Sequence, residues 1–362
     1  MPNSETPRPE DAFPEDSIGN ILPENSPDTA TVISTEPPEH AYAQLTPEVV
    51  IDAVESQGFL CDGRQLALNS YENRVYQVGI DEATPLIAKF YRPARWSDEQ
   101  ILEEHHFSAE LAEREVSAVE PMTDKTGNSL FEFNGFRFAL YRRQGGHAPE
   151  LDNFDHLLSL GRVLGRMHAQ GSVKAFAHRP LVDIQSYAID SQSFLLQNNF
   201  IPSGLHTSYE TLTQHLIEQV QQIFNRVDYK SIRLHGDCHQ GNILWRDDAP
   251  HFVDFDDART GPAIQDLWML LSGDRQNQTA QLSEVLEGYQ EFCDFNYAEI
   301  ALIEALRTLR IMHYSAWLAR RWNDPAFPMN FPWFNTERYW AEHILELREQ
   351  FSVLQEPALK LF

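Results

Sequence analysis

The chain has 362 residues, enough for two lobes that each bury a core, and carries 28 Lys and Arg against 54 Asp and Glu, a formal charge of −26. So acidic a chain repels phosphate backbones and anionic lipid surfaces, which excludes nucleic acid as a principal partner. No run approaches the roughly 18 consecutive apolar residues of a spanning helix, the N-terminus lacks a basic segment followed by an apolar one, and Cys61, Cys238 and Cys293 form no CxxC pair or disulfide framework. The expectation is a protein of the reducing cytoplasm with no membrane attachment.

Residues 1–44 are rich in Pro, Glu, Asp, Ser and Thr and show neither a helical nor a strand period. They read as a disordered acidic tail, with a solvated extension the simpler account and a regulatory arm the alternative. Thr46-Pro47-Glu48 then opens an amphipathic helix through Val50, Ala53 and Val54, with Thr46 as N-cap and Pro47 at the first helical position. Three strand-like runs follow, Gln65 to Leu68, Arg74 to Val78 and Leu86 to Phe90, separated by polar segments. Ser97-Asp-Glu-Gln100 supplies a capping box ahead of a helical stripe through Ile101, Phe107 and Leu111. Leu130-Phe-Glu-Phe133 and Phe136-Arg-Phe-Ala-Leu140 flank Asn134-Gly135, a dipeptide suited to a tight hairpin. After the connector Tyr141-Arg-Arg-Gln-Gly-Gly146 the sequence is mostly helical: Leu157, Leu160, Leu164 and Met167 mark one helix, and further periodicity runs over residues 212–224, 280–292 and 298–319. The fold class is therefore α+β and bilobal, with a small antiparallel-sheet N-lobe carrying one main helix over residues 45–141 and a larger, mostly helical C-lobe over 142–362.

The chemistry sits in the second lobe. His235-Gly-Asp-Cys-His-Gln-Gly-Asn242 is a polar loop between the apolar runs Ile232-Arg-Leu234 and Ile243-Leu-Trp245, and Phe252-Val-Asp-Phe-Asp-Asp257 begins apolar and ends in carboxylates. Two short strands in a hairpin would bring those acids beside the loop. Phosphoryl transfer from ATP needs a carboxylate to orient the attacking hydroxyl and take its proton, oxygen ligands for Mg²⁺, and a cation on the phosphates. Asp237 and Asn242 keep the five-residue separation of the protein-kinase pattern HRDxxxxN, which makes Asp237 the base and Asn242 a metal ligand. Asp254 is the principal metal ligand. Lys89, in Leu86-Ile-Ala-Lys89-Phe90, is the cation, and it needs a carboxylate from the following helix. Glu104 is preferred to Glu103 because its spacing from Phe107 and Leu111 sets it beside the buried stripe. The phosphate-covering segment Asn69-Ser70-Tyr-Glu-Asn73 has no glycine, so backbone amides and the Ser70 hydroxyl would serve there.

Other readings compete. His235 is expected to hold the loop by a hydrogen bond, although His235, Asp237 and His239 at alternate positions also fit a zinc hydrolase. Asp266 is expected to accept hydrogen bonds from the loop backbone. Asp256 and Asp257 read as solvated or as water-mediated metal contacts, and Cys238 as a small buried side chain rather than a nucleophile.

Leu234-His-Gly-Asp-Cys-His-Gln-Gly-Asn-Ile-Leu-Trp245 together with Phe252-Val-Asp-Phe-Asp-Asp257 resembles the aminoglycoside-phosphotransferase and choline-kinase superfamily. Asn69 to Gln77, Lys89-Phe-Tyr-Arg-Pro93, Gln100 to His105, Gln265 to Leu271 and Asp324-Pro-Ala-Phe-Pro328 narrow the resemblance to bacterial Ser/Thr protein kinases within it, over residues 45 to 357. The resemblance implies Asp237 as catalytic base, Asn242 and Asp254 as magnesium ligands, Ser70 as an ATP contact, protein substrates, and a cytoplasmic monomer concerned with stress. Tyr141-Arg-Arg-Gln stands where a Pro-containing hinge is expected, which leaves the adenine contacts open. Two alternatives remain at this point: a small-molecule kinase whose acidic cleft, lined by Trp333 and Trp340, takes an amino alcohol or sugar, and a pseudokinase that holds nucleotide without turnover.

Overall fold

The computed structural model describes residues 40–361, so the expected tail falls, over residues 1–39, outside the described residues. Residues 40–44, assigned to that tail, are built into the fold. Tyr42 is 5% exposed, its hydroxyl donates to the carbonyl of Phe90 at 3.2 Å, and Arg74 lies over its ring at 4.5 Å. One aromatic residue with a cation and a carbonyl to meet is enough to fix a segment that composition alone marks as solvated.

The first helix, α1 (Pro47–Glu55), starts where Thr46 accepts from the N–H of Val49. It covers one face of a five-stranded antiparallel sheet made by β1 (Cys61–Ala67), β2 (Arg74–Ile80), β3 (Leu86–Phe90), β4 (Phe131–Phe133) and β5 (Phe136–Arg142) in the order β1-β2-β3-β5-β4. Val50 and Val54 pack there against Val78, Ala88, Phe90 and Leu140. Lys89 is out of phase with Ala88 and Phe90 and so points to the opposite face. That face meets α2 (Asp98–Glu113), whose capping box between Ser97 and Gln100 is made in both directions. The β4–β5 turn carries positive φ at Asn134 and Gly135, as expected of the dipeptide.

The helical part contains α3 (Phe154–Gly171), α4 (Asp190–Gln197) entered through a wide turn at Gln185–Ile189, and α5 (His206–Phe224). Next come β6 (Ile232–Leu234), the hairpin β7 (Ile243–Arg246) and β8 (Ala249–Phe252), and β9 (Arg259–Gly261). The chain finishes with α6 (Ile264–Trp268), α7 (Arg275–Tyr289), α8 (Ile303–Arg320), α9 (Ala326–Asn330) and α10 (Glu337–Val353). Helices α3 and α7 cross at near backbone contact: a Cβ on Gly161 would sit 2.0 Å from the carbonyl oxygen of Val285. Residues 40–361 hold together as one compact unit. Phe107, Leu111, Val116 and Ala118, all before residue 141, share an apolar cluster with Leu157 and Leu160 of α3. The buried Arg233 of β6 reaches Glu110 of α2 at 2.9 Å and lies over the Phe107 ring at 4.5 Å. Helix α2 is thus seated on the helical part as well as on the sheet.

Candidate active site

Strand β3 and helix α2 meet at a buried charge cluster. Lys89, 5% exposed, has its Nζ 3.3 Å from Glu104 Oε1, 2.9 Å from Asp254 Oδ1 and 3.4 Å from Asp256 Oδ1. Burial alone would lower the Lys89 pKa, but Asp254, Asp256 and Glu104 outweigh it and hold it well above the usual value. Burial pushes the Glu104 carboxyl the other way, up to about 7, with Lys89 opposing. Glu103 does different work: it accepts the N–H groups of Ala177, His178 and Arg179 at 2.6–2.8 Å.

The polar loop between β6 and β7 is hung from α6. Asp266, fully buried, accepts from the N–H of His235 and of Gly236 at 2.8 Å each, and its carboxylate lies 3.0 Å from His168 Nε2. The expected backbone contact is there. Gly236 takes φ +87°, and a Cβ on it would lie 2.1 Å from the carbonyl oxygen of Asp257, so only glycine fits. His235 is buried with Nε2 2.9 Å from the carbonyl oxygen of Val253, which ties the loop to the strand before Asp254. The Cys238 thiol is buried, and its burial, with Asp266 and Asp237 nearby, pushes its pKa well up.

Asp237 comes out of this loop with a side chain 26% exposed. Asn242 Nδ2 donates to the Asp237 carbonyl at 2.9 Å and lies 3.5 Å from Oδ2, which leaves the Asn242 amide oxygen for another partner. Burial would raise the Asp237 carboxyl, but Arg310 of α8, donating from Nη1 to Oδ1 at 2.6 Å, and His239 hold it well below the usual carboxylate range. The β7–β8 hairpin turns through Asp247 and Asp248, both at positive φ, and the N–H of Val253 donates to the carbonyl of Asn242 at 3.0 Å. Asp254 therefore follows directly on the residue bonded to Asn242. Its φ of 59° and ψ of 65° are left-handed, and its carboxylate is 47% exposed.

The structure corrects the reading of the next two acids. Asp256 is buried, paired with Lys89 and Arg95, and these cations hold its carboxyl low against the effect of burial. Asp257 accepts from Arg95 at 2.8 Å and lies 3.4 Å from Arg259. Neither is left to solvent alone, because Lys89 and Arg95 reach them from distant segments and Arg259 from two residues along. Trp340 is also misplaced by the sequence reading: it is fully buried under Tyr209, Phe334 and Tyr339 and lines no cleft.

The segment with Ser70 is shaped by charge, not glycine. The Ser70 hydroxyl donates to the carbonyl of Asn73 at 3.2 Å. Glu72 accepts from Trp317 Nε1 at 2.6 Å and pairs with Arg92 at 3.0 Å and Arg321 at 2.5 Å. Asp324, before α9, accepts from Arg74 at 3.1 Å and Arg92 at 2.7 Å. Arg74 and Arg92 also donate to the carbonyls of Tyr71 and Glu72. The segment is thus strapped to α8 and to Asp324. Arg310, Arg95 and Asp324 carry no local pattern, since each meets its partner across more than seventy positions of chain.

A Mg²⁺ ion binds through one or two side-chain oxygens completed by substrate phosphates and water. The half-exposed Asp254 carboxylate and the Asn242 amide, on neighbouring backbone segments, are donors of the kind that requirement calls for, and Lys89, 2.9 Å from Asp254, fits a phosphate.

The family model described as phosphotransferase enzyme family matches residues 64–303. Over 320 residues the chain is 48% identical to Stress response kinase A of Shigella flexneri and 45% identical to Serine/threonine protein kinase RdoA of Salmonella typhimurium; each match covers 88% of this chain and 97% of the relative. Among solved structures, an amicoumacin kinase in complex with AMP-PNP, Ca²⁺ and Ami matches with a TM-score of 0.65 at 18% identity, covering 82% of this chain and 92% of that one. A microcompartment-associated aminopropanol kinase matches with a TM-score of 0.64 at 17% identity, covering 85% and 99%.

Proposed function

The chain belongs to the phosphotransferase enzyme family, and from that membership we propose an ATP- and Mg²⁺-dependent Ser/Thr protein kinase that moves the γ-phosphate to protein hydroxyls in a stress response. The observation that carries the reading is the convergence of Lys89, Asp254, Asn242 and Asp237, drawn from three segments, into one arrangement. Asp237 orients the acceptor hydroxyl and takes its proton; the Asn242 amide bond to the loop fixes where that carboxylate stands. Lys89, itself fixed by Glu104, meets the phosphates, while the Ser70 segment lies over the nucleotide. Asp254 and Asn242 would hold Mg²⁺, which when bound neutralises charge on the phosphate oxygens. The protein acceptor rests on the names of the relatives that match along 97% of their length. Monomeric state and cytoplasmic location belong to the same proposal.

Two variants test it. Asp254→Ala should lose Mg²⁺-dependent binding of a non-hydrolysable ATP analogue together with transfer, whereas Asp237→Ala should bind the analogue and transfer nothing. Wild-type rates of transfer in either variant refute the assignment.

A further inference from the structure

The proposed base is not met by solvent alone. Arg310 donates to Asp237 Oδ1 at 2.6 Å from Nη1, which uses one of its five N–H donors, and its side chain is 44% exposed. A hydroxyl hydrogen-bonded to Asp237 at about 2.7 Å lies within a few ångströms of that guanidinium. Whatever carries the hydroxyl must therefore share its surroundings with a fixed positive charge. Asp237 itself takes one N–H of the guanidinium, and of the neighbouring carboxylates Asp257, which also faces Arg310, is shared with Arg95 and Arg259, while Asp256 is engaged by Lys89 and Arg95. Tyr314, one turn along α8 from Arg310 and 38% exposed, adds an aromatic surface at the same place.

Resting on the kinase reading above, we propose that Arg310 selects the acceptor: it takes a hydroxyl flanked by an anionic group on a peptide and rejects acceptors bearing an ammonium. A guanidinium presents five donors in a plane that matches a carboxylate or phosphate in two-point fashion, and it cannot discharge. An anionic flank draws the fork away from Asp237 Oδ1 and leaves that oxygen to the hydroxyl. A lysine or a quaternary amine in the same place meets like charge, offset only by the Asp237 carboxylate that the hydroxyl itself occupies. Arg310 is thus a specificity-determining residue.

The test uses the full chain with Mg-ATP and four versions of one Ser peptide, flanked by Asp and Glu, by phosphoserine, by Ala, or by Lys and Arg. Choline serves as a fifth acceptor. Transfer and equilibrium peptide binding are both measured for wild type, Arg310→Gln and Arg310→Glu. The expected result is a kcat/KM for the acidic or phosphorylated peptide at least about 10-fold above that for the basic one, carried mostly in KM. Arg310→Gln should flatten the ratio and Arg310→Glu should invert it. The carboxylate and phosphoserine arms say which anion the fork takes. Transfer that is indifferent to flanking charge, or strongest to the basic peptide in wild type, overturns the role of Arg310 and leaves the kinase reading standing. Arg310-dependent binding of acidic peptides without transfer to any of them sustains the selection and overturns the kinase reading. Phosphorylation of choline in preference to peptide overturns both.

Discussion

Asp266→Asn changes one atom of a fully buried side chain and tests whether the loop under Asp237 is held by that carboxylate. Its two oxygens take the N–H groups of His235 and Gly236 at 2.8 Å each and face His168 Nε2 at 3.0 Å. An amide supplies one acceptor oxygen and turns an NH₂ toward at least one of those donors. One buried N–H is then unsatisfied, and its remaining bonds lose charge assistance, a destabilisation of about 2–4 kcal/mol. Gly236 immediately precedes Asp237, so the loop cannot shift without moving the proposed base; a displacement of about 1 Å lowers the transfer rate on the order of 100-fold. Denaturant unfolding gives the first quantity and kcat at saturating Mg-ATP the second. A variant with kcat within about 3-fold of wild type and an unchanged unfolding midpoint refutes the account of how this loop is held.

Asp324→Asn should raise the KM for ATP several-fold at nearly constant kcat and cost about 2–3 kcal/mol. That is less than the full cost of breaking a buried pair, because Arg74 and Arg92 keep carbonyls of the covering segment; unchanged KM and stability would show that the strap does no positioning. Gly236→Ala should fail to accumulate as folded, active protein, since its Cβ has no space beside the Asp257 carbonyl; normal thermal unfolding and activity would contradict this. Burial, with Lys89 adding to it, lowers the His105 imidazole to about 3 while its nitrogens bond Tyr91 and Ser129. Between an unfolded pKa of about 6.5 and that value the unfolded state binds the extra proton, so stability is lost as pH falls below about 6.5. His105→Gln should reduce the slope of unfolding free energy against pH over that window, and an identical slope would remove His105 as a cause.

The short-range features of the fold are written locally. The Ser97 capping box, the Asn134-Gly135 turn and the spacing of Leu157, Leu160, Leu164 and Met167 each act within a few residues, and the elements they predict are present. The preference for Glu104 over Glu103 rests on one helical stripe, and the 3.3 Å approach of Lys89 to Glu104 follows it. What lacked a local signal is what depends on distant partners. Strand β9, Arg-Thr-Gly, has no apolar alternation and exists because it pairs with β6. Asp256 looks solvated until Arg95 and Lys89 arrive from the sheet side, and Arg310 is one of several arginines on α8 until the fold sets it against Asp237. Trp340 shows the converse error, an aromatic assigned to a cleft that tertiary packing closes over.

The central claim is transfer of the ATP γ-phosphate to a protein hydroxyl through Asp237, and phosphoamino-acid analysis after incubation with labelled Mg-ATP tests it most directly. Wild type should yield labelled phosphoserine or phosphothreonine on protein, and Asp237→Asn, which keeps the side chain's shape but removes the base, should yield none. Label confined to small-molecule acceptors, or equal protein labelling by the variant, would contradict it.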